Sequence, residues 1–361
     1  MRMSTIPEQI EALEEEIREL PYHKGTERHI GLLRARIARL KDKLIEGTVK
    51  AGSGGGGGYA VKKQGDATVV LVGPPSVGKS TLINCLTNAQ SKVAPYAFTT
   101  LTVIPGMMKY KEAYIQILDV PGIIKGAEEG KGRGKEVLSV IRGCDLVIII
   151  TDVEHLDNFE SIEAALNRNG IRMNEPKPDV SIEKRPQGGM GIQSNIRQEL
   201  SDDEIKDIAH EFGIRSADIT LREKITINRL TDAFSANRVY VKAMRVLNKI
   251  DEVKNVQKFA NENTLLISAD KGIGIEELKT AIWEKLGFLT IYLVEQYSDP
   301  DFENPSIVKK DDTLLDVAKE IGSEFAADKK SAKIWGTGAK FPGQEVSLST
   351  KVQDGMQVRF L

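Results

Sequence analysis

Gly73-Pro74-Pro75-Ser76-Val77-Gly78-Lys79-Ser80 decides how this chain is read. The stretch follows an apolar run, Val69-Val70-Leu71-Val72, and opens onto a helical pattern from Thr81 to Leu86. Strand, glycine-spaced loop, Lys-Ser and helix make a phosphate-binding loop in the context that gives the motif its meaning. The glycines let backbone N–H groups turn inward around an anion. The helix beginning near Lys79 adds the positive end of its dipole. Lys79 is expected to reach the β- and γ-phosphates, and Ser80 to ligate Mg2+ through its hydroxyl. The candidate contacts are Gly73, Pro74, Pro75, Ser76, Val77, Gly78, Lys79, Ser80 and Thr81.

Outward from this loop, strands and helices alternate. Core strands are expected near 68–73, 103–110, 114–119, 145–151, 239–247 and 264–268, with helices near 79–88, 135–142, 156–168, 253–262 and 274–286. That alternation predicts an α/β fold with a doubly wound, mostly parallel sheet. One interval is too long for a single loop. Residues 171–238 carry their own pattern: a strand in Pro178–Glu183, then Gly188-Gly189 and Met190–Gln193, which predicts a hairpin, and helices at 201–212 and 226–235. This reads as an inserted α+β domain between the two parts of the nucleotide domain, 67–170 and 239–288.

Residues 5–46 read as two helices separated by Pro21 and Gly25. Between residues 24 and 43 stand seven Lys/Arg against two acids. Such a run is either a solvated face or a surface for RNA. The helical pair occupies 1–50, and a glycine-rich linker, 51–66, contains Gly54 to Gly58. From 289 to 361 the pattern is strand, an amphipathic helix at 314–325, and short strands near 332–335 and 356–361.

Four short motifs converge on one chemistry. Asp119-Val120-Pro121-Gly122 ends a strand: the Asp119 carboxylate suits Mg2+ held through water, and the Gly122 N–H suits a γ-phosphate. Asn248-Lys249-Ile250-Asp251 ends another. The Asp251 carboxylate can accept from guanine N1–H and its exocyclic amine, a donor pair adenine lacks. Asn248 would bond the base and brace the loop, and the Lys249 stem can cover the base face. Ser268-Ala269-Asp270 ends the next strand and would place the Ala269 N–H on guanine O6. Tyr96-Ala97-Phe98-Thr99-Thr100-Leu101 supplies a hydroxyl that completes Mg2+ coordination, assigned to Thr100 with Thr99 in reserve. Lys79, Thr100 and Gly122 are the groups expected to act on the reacting phosphate. Together the motifs predict a GTP/GDP-binding switch.

Composition is that of an ordinary globular chain: 361 residues, 40% apolar, 28% charged and a net charge of −2. No global field calls for DNA, and no apolar run reaches membrane-spanning length. The glutamate-rich N-terminus is unlike a signal peptide. The two cysteines, Cys85 and Cys144, sit in apolar segments, as expected of reduced thiols in a cytoplasmic protein. The four histidines show no metal-ligand spacing, and nothing points beyond a monomer.

The phosphate loop, the Tyr-Ala-Phe-Thr-Thr-Leu stretch, Asp-Val-Pro-Gly and the segment Gly126 to Gly134 resemble the Obg superfamily of translational GTPases. The helical pair, the glycine linker, the insert and the C-terminal region resemble its DRG branch, the developmentally regulated GTP-binding proteins. The resemblance implies a C-terminal TGS domain of β-grasp type and association with the ribosome or rRNA and a regulatory protein. An ATP-preferring subfamily lacks the aspartate that stands here as Asp251. Some relatives carry an asparagine that binds an activating K+ where this chain has Ser76, so K+ dependence is left open. Ile123 occupies the place of the water-positioning glutamine of Ras-like proteins and cannot hydrogen-bond water. Slow intrinsic hydrolysis follows as the expectation, with help from a partner or an ion; Arg133 is a minor candidate for internal help. The rival reading is a nucleotide-gated RNA- or protein-binding module with negligible turnover.

Overall fold

The computed structural model describes residues 5–21, 26–51, 65–87, 94–95, 102–120, 133–259 and 263–361. In chain order, helices α1 (Ile6–Glu19) and α2 (Glu27–Ala51) come first. Strand β1 (Ala67–Val72) leads into α3 (Lys79–Thr87), followed by β2 (Ala94–Pro95), β3 (Thr102–Tyr110) and β4 (Ala113–Asp119). Then come α4 (Arg133–Arg142), β5 (Leu146–Asp152), α5 (Asn158–Arg168) and β6 (Ile171–Met173). The insert holds β7 (Val180–Lys184), β8 (Met190–Ser194), α6 (Asp202–Glu211), β9 (Ala217–Leu221) and α7 (Ile227–Phe234). It is followed by β10 (Val239–Asn248), β11 (Thr264–Leu266) and α8 (Ile275–Leu286). The C-terminal region holds β12 (Phe288–Leu293), β13 (Pro305–Lys309), α9 (Leu314–Ile321), α10 (Ser323–Asp328), β14 (Ser331–Gly336), β15 (Gln344–Ser347) and β16 (Met356–Phe360).

Packing divides the chain into two units: Met1–Ala60 with Leu166–Tyr240, and Val61–Ala165 with Val241–Leu361. The second contains the sheet β11-β10-β5-β1-β4-β3-β2. Its β1 and β5 are buried along their whole length, as nearly continuous apolar runs covered on both faces must be. The pairs β1–β4, β1–β5, β5–β10 and β10–β11 are parallel, while β3 lies antiparallel to β4 and β2 to β3. Leu71, Leu82, Ile83, Ile117, Ile148 and Trp283 belong to one core. Parallel pairing also brings the carboxyl ends of β1, β4, β5, β10 and β11 to one edge, where α/β sheets bind ligands.

The region after α8 forms a mixed sheet, β13-β12-β16-β14-β15, with β12 parallel to β16 and the other pairs antiparallel. Ile291, Leu314, Val317 and Val358 share its core. The expected 314–325 helix is two helices, α9 and α10, meeting at an extended Gly322. The expected helix at 253–262 is also absent among the described residues: Ile250–Glu252 and Val256–Phe259 are short 3-10 turns. The apolar residues there, Val253, Val256 and Phe259, recur every third position, which suits a three-residue turn better than an α-helix.

In the other unit the expected hairpin of β7 and β8 does not form. The later strand β9 lies between them, antiparallel to β7 and parallel to β8. Its Ala217, Ile219 and Leu221 are buried, so the most apolar strand takes the centre. The basic helix α2 packs Ala35 into the core that α6 and α7 also line. Several of its charges are paired: Arg28 with Asp207, Arg36 with Glu211 and Lys41 with Glu14. That pairing supports the solvated-face reading of the basic run.

Buried ion pairs fix the end of this unit. Asp232 is 7% exposed and accepts from Arg172 Nε at 2.6 Å and Arg238 Nε at 2.6 Å; Arg238 also reaches Asp42 at 3.4 Å. Removing the shared carboxylate takes a buried partner from both guanidinium groups and leaves Arg238 its longer contact with Asp42. Asp232→Ala is therefore expected to destabilise this unit by roughly 3–5 kcal/mol, read as a lower urea midpoint at unchanged slope.

Candidate nucleotide site

The phosphate loop runs from the end of β1 into α3, and two of its glycines are required by close approach. A Cβ on Gly73 would lie 2.2 Å from the Ile150 carbonyl oxygen. One on Gly78, which has φ +88°, would lie 2.4 Å from Asn248 Nδ2. Ser76 takes a left-handed φ of 66°, a conformation that asparagine and glycine adopt more readily than serine. Pro74 and Pro75 shape the turn, Val77 is buried beneath it, and Thr81 is exposed in the first turn of α3.

Lys79 is buried, and its ammonium donates to the Gly73 carbonyl at 3.0 Å and the Pro74 carbonyl at 2.8 Å. Burial lowers its pKa, and the neighbouring Asp119, 4.0 Å away, pulls it back up. Burial pushes the Asp119 carboxyl above its ordinary value, against the pull of Lys79 and of Ser80, whose Oγ donates to Oδ2 at 3.3 Å. Asp119 Oδ1 is buried with no hydrogen-bond partner. A hydroxyl oxygen and a carboxylate with one oxygen free of hydrogen bonds are hard donors of the kind Mg2+ takes. Ser80 and Asp119 therefore fit that ion.

Asn248, at the end of β10 and 2% exposed, uses both ends of its amide. Nδ2 donates to the Val77 carbonyl at 2.8 Å, and Oδ1 accepts from the Ala269 N–H at 2.9 Å. One Nδ2 hydrogen is left for a base acceptor. The Ala269 N–H expected on guanine O6 is thus engaged with Asn248 and braces the site. Asp251 is exposed, and a hydrogen bond from Ser268 holds its carboxyl below the ordinary value. Ser268 is fully buried and also accepts the Lys271 N–H at 3.1 Å. Asp270 is exposed and pairs with Lys271. Lys249 has a left-handed backbone, and its Nζ lies 3.2 Å from Asp152 Oδ2.

Lys79, Ser80, Asp119, Asn248, Lys249, Asp251 and Ser268 thus meet at one sheet edge. Thr99, Thr100, Gly122 and Ile123 lie outside the described residues, as does the rest of 96–101 and 121–132. Sequence reasoning missed Asp152 and His155. The available signal was positional: Asp152 ends a buried parallel strand, as Asp119 does. It also missed Cys85 of α3, whose Sγ donates to the Ala269 carbonyl at 3.0 Å.

Comparison with known proteins places these features in a family. A profile described as 50S ribosome-binding GTPase matches residues 68–182, one described as the C-terminal region of the MMR_HSR1 domain matches 187–288, and the TGS domain matches 294–361. A GTP-binding protein of Methanocaldococcus jannaschii is 44% identical over 97% of this chain and 91% of its own length. Developmentally-regulated G-protein 2 of Arabidopsis thaliana is 36% identical over 97% and 89%. Ribosome-interacting GTPase 1 of Saccharomyces cerevisiae is 38% identical over 98% of each.

The geometry at Asp119 sets a test. Its folded carboxyl titrates above its unfolded value, so the stability tied to this group is lost as pH rises through the folded value. In the absence of nucleotide, Asp119→Asn is expected to be more stable than the wild type at neutral pH, with the advantage disappearing below the carboxylate range. The same variant is expected to weaken Mg2+-dependent GTP binding by more than about tenfold. Urea unfolding across pH and titration with labelled GTP check both arms.

Proposed function

The chain belongs to the family of developmentally regulated GTP-binding proteins, and on that premise we propose that it is a Mg2+-dependent GTPase switch that works on the ribosome. GTP binding and hydrolysis are the activity of its family. The observation that carries the Mg2+ part is the buried Asp119 carboxylate, whose Oδ1 has no hydrogen-bond partner and whose Oδ2 accepts from the Ser80 hydroxyl, beside the Lys79 ammonium. Ser80 and Asp119 would hold the ion there, and it would supply positive charge against the phosphates beside Lys79.

In this reading the loop from Gly73 to Thr81 cradles the phosphates, with Lys79 on their β and γ oxygens. Ser80 and Thr100 would hold the ion, with Asp119 acting through water, and the Gly122 N–H would meet the γ-phosphate. Asn248 and Asp251 read guanine, with Ser268, Ala269 and Asp270 closing the base side. No group at Ile123 can orient the attacking water, so intrinsic turnover is slow. The missing help comes from the ribosome or rRNA, from a regulatory protein, or from K+ near Ser76. The ribosome is preferred because a relative of nearly the same length is named for that interaction. The chain works as a monomer in the cytoplasm; among the described residues no helix is long and apolar enough to cross a membrane. Ile123 also favours a second reading, in which GTP shapes a binding surface and turnover is incidental.

GTP hydrolysis with Mg2+, in Na+ and in K+, with and without purified ribosomes, tests the proposal. The expected result is a slow basal rate that rises at least about tenfold with ribosomes. A rise with K+ alone would assign the missing help to the ion. Tight GTP binding with no rise in any condition would leave the binding-module reading. In parallel, Asp251→Asn is expected to lose guanine preference by more than about a hundredfold, measured by competition between GTP and ATP.

A further inference from the structure

Asp152 ends β5 directly across from Asn248, its register partner at the end of β10. It is 4% exposed, and both carboxylate oxygens meet side-chain donors. Oδ1 accepts from His155 Nδ1 at 2.7 Å, and Oδ2 accepts from Lys249 Nζ at 3.2 Å. An ionised carboxylate only accepts, so the imidazole proton sits on Nδ1. His155 is itself fixed through its backbone: its carbonyl accepts from Thr151 Oγ1 at 2.8 Å, and its N–H donates to the Asp152 carbonyl at 3.2 Å. Burial pushes the Asp152 carboxyl up, but the hydrogen bonds from His155 and Lys249 outweigh it and hold the group below its ordinary value.

The arrangement makes little sense as a fold stabiliser. A buried carboxylate is costly to desolvate, and an apolar residue of similar size often serves stability as well. Its partner Lys249 has a left-handed backbone, φ 61° and ψ 34°, which non-glycine residues keep mainly where the surroundings enforce it and often at functional sites. A lysine stem is long and flexible. Tying its ammonium to a rigid carboxylate removes that freedom before a ligand arrives, and preorganisation of this kind raises affinity.

We propose that Asp152 is a positioning residue of the nucleotide site: it holds the Lys249 ammonium, with His155 steadying the carboxylate, so that the Lys249 stem lies along the face of the guanine base. The proposal rests on the reading of Asn248 to Asp251 as the base-binding segment. Its action is expected at the base, because the side-chain hydrogen bonds of Asp152 go to His155 and Lys249.

The test is a double-mutant cycle of Asp152→Asn and Lys249→Met, with affinities measured for Mg2+–GTP, Mg2+–GDP and inorganic tripolyphosphate. Asp152→Asn is expected to weaken GTP and GDP by about tenfold while leaving tripolyphosphate unchanged. Lys249→Met, which keeps most of the stem but frees it, is expected to show a similar loss. Adding Asp152→Asn to Lys249→Met is expected to cost less than about twofold more, because the two residues act as one unit. An equal loss on the Lys249→Met background, or an equal loss of tripolyphosphate, would overturn the proposal by showing a general structural role. Should Asp152→Asn fail to fold, Lys249→Met decides alone, and unchanged GTP affinity in it would overturn the proposal. If the wild type binds nucleotide and Asp152→Asn matches it, only this proposal falls. If the wild type binds neither GTP nor GDP, the GTPase reading falls and takes this one with it.

Discussion

The Asn248 amide is the interaction on which the nucleotide site depends. Its two ends join the Val77 carbonyl of the phosphate loop to the Ala269 N–H of the base-side loop. Those loops follow β1 and β11, which never pair with each other. The strands between them, β5 and β10, set the spacing, and the side chain at the end of β10 bridges it. The bridge is buried, so each hydrogen bond it makes is exclusive of water and expensive to leave unmade. Gly78 has no side chain because Asn248 Nδ2 occupies the place a Cβ would take. The phosphate loop and the base-side loop are therefore held together by one residue.

This explains why so much of the site was legible in the sequence. The motifs around Lys79, Asp119, Asn248 and Ser268 are each read from residue type at the end of an apolar strand, and parallel pairing delivers all four strand ends to one edge. Periodicity alone therefore carried the residues most of the way to three-dimensional proximity. What it could not supply was the direction of individual polar groups. The Ala269 N–H, read as a base contact, turns to Asn248. Asp152 and His155 went unread because Asp152 meets Lys249, 97 residues away, and His155 meets Asp152 in turn.

The fold of the insert was less legible for a related reason. Two short strands joined by a five-residue connection that ends in Gly188-Gly189 read locally as a hairpin. The competing strand, β9, is distant in sequence and carries the alternating Ala217, Ile219 and Leu221. Insertion of β9 between β7 and β8 buries that face and gives it two neighbours instead of one. Burial of a long-range strand thus outweighed a favourable local turn. The charge run on α2 was likewise ambiguous until its partners were known. Arg28 and Arg36 meet acids on α6 that no local pattern connects to them.

The nucleotide site also bears on stability. Lys79 and Asp119 are both largely buried, and burial displaces the titration of each toward its neutral form. Their separation of 4.0 Å offsets only part of that penalty, and Asp119 Oδ1 remains without a hydrogen bond. Such a site destabilises the chain that carries it unless a ligand compensates. On the proposed reading, a nucleotide whose phosphates met Lys79, with a divalent ion between Ser80 and Asp119, would supply that compensation. Ligand present at a thousandfold excess over its dissociation constant adds about 4 kcal/mol to folding. That is a large share of the 5–15 kcal/mol typical of a domain. On that reading, the residues that bind nucleotide would also make the stability of the chain a function of nucleotide.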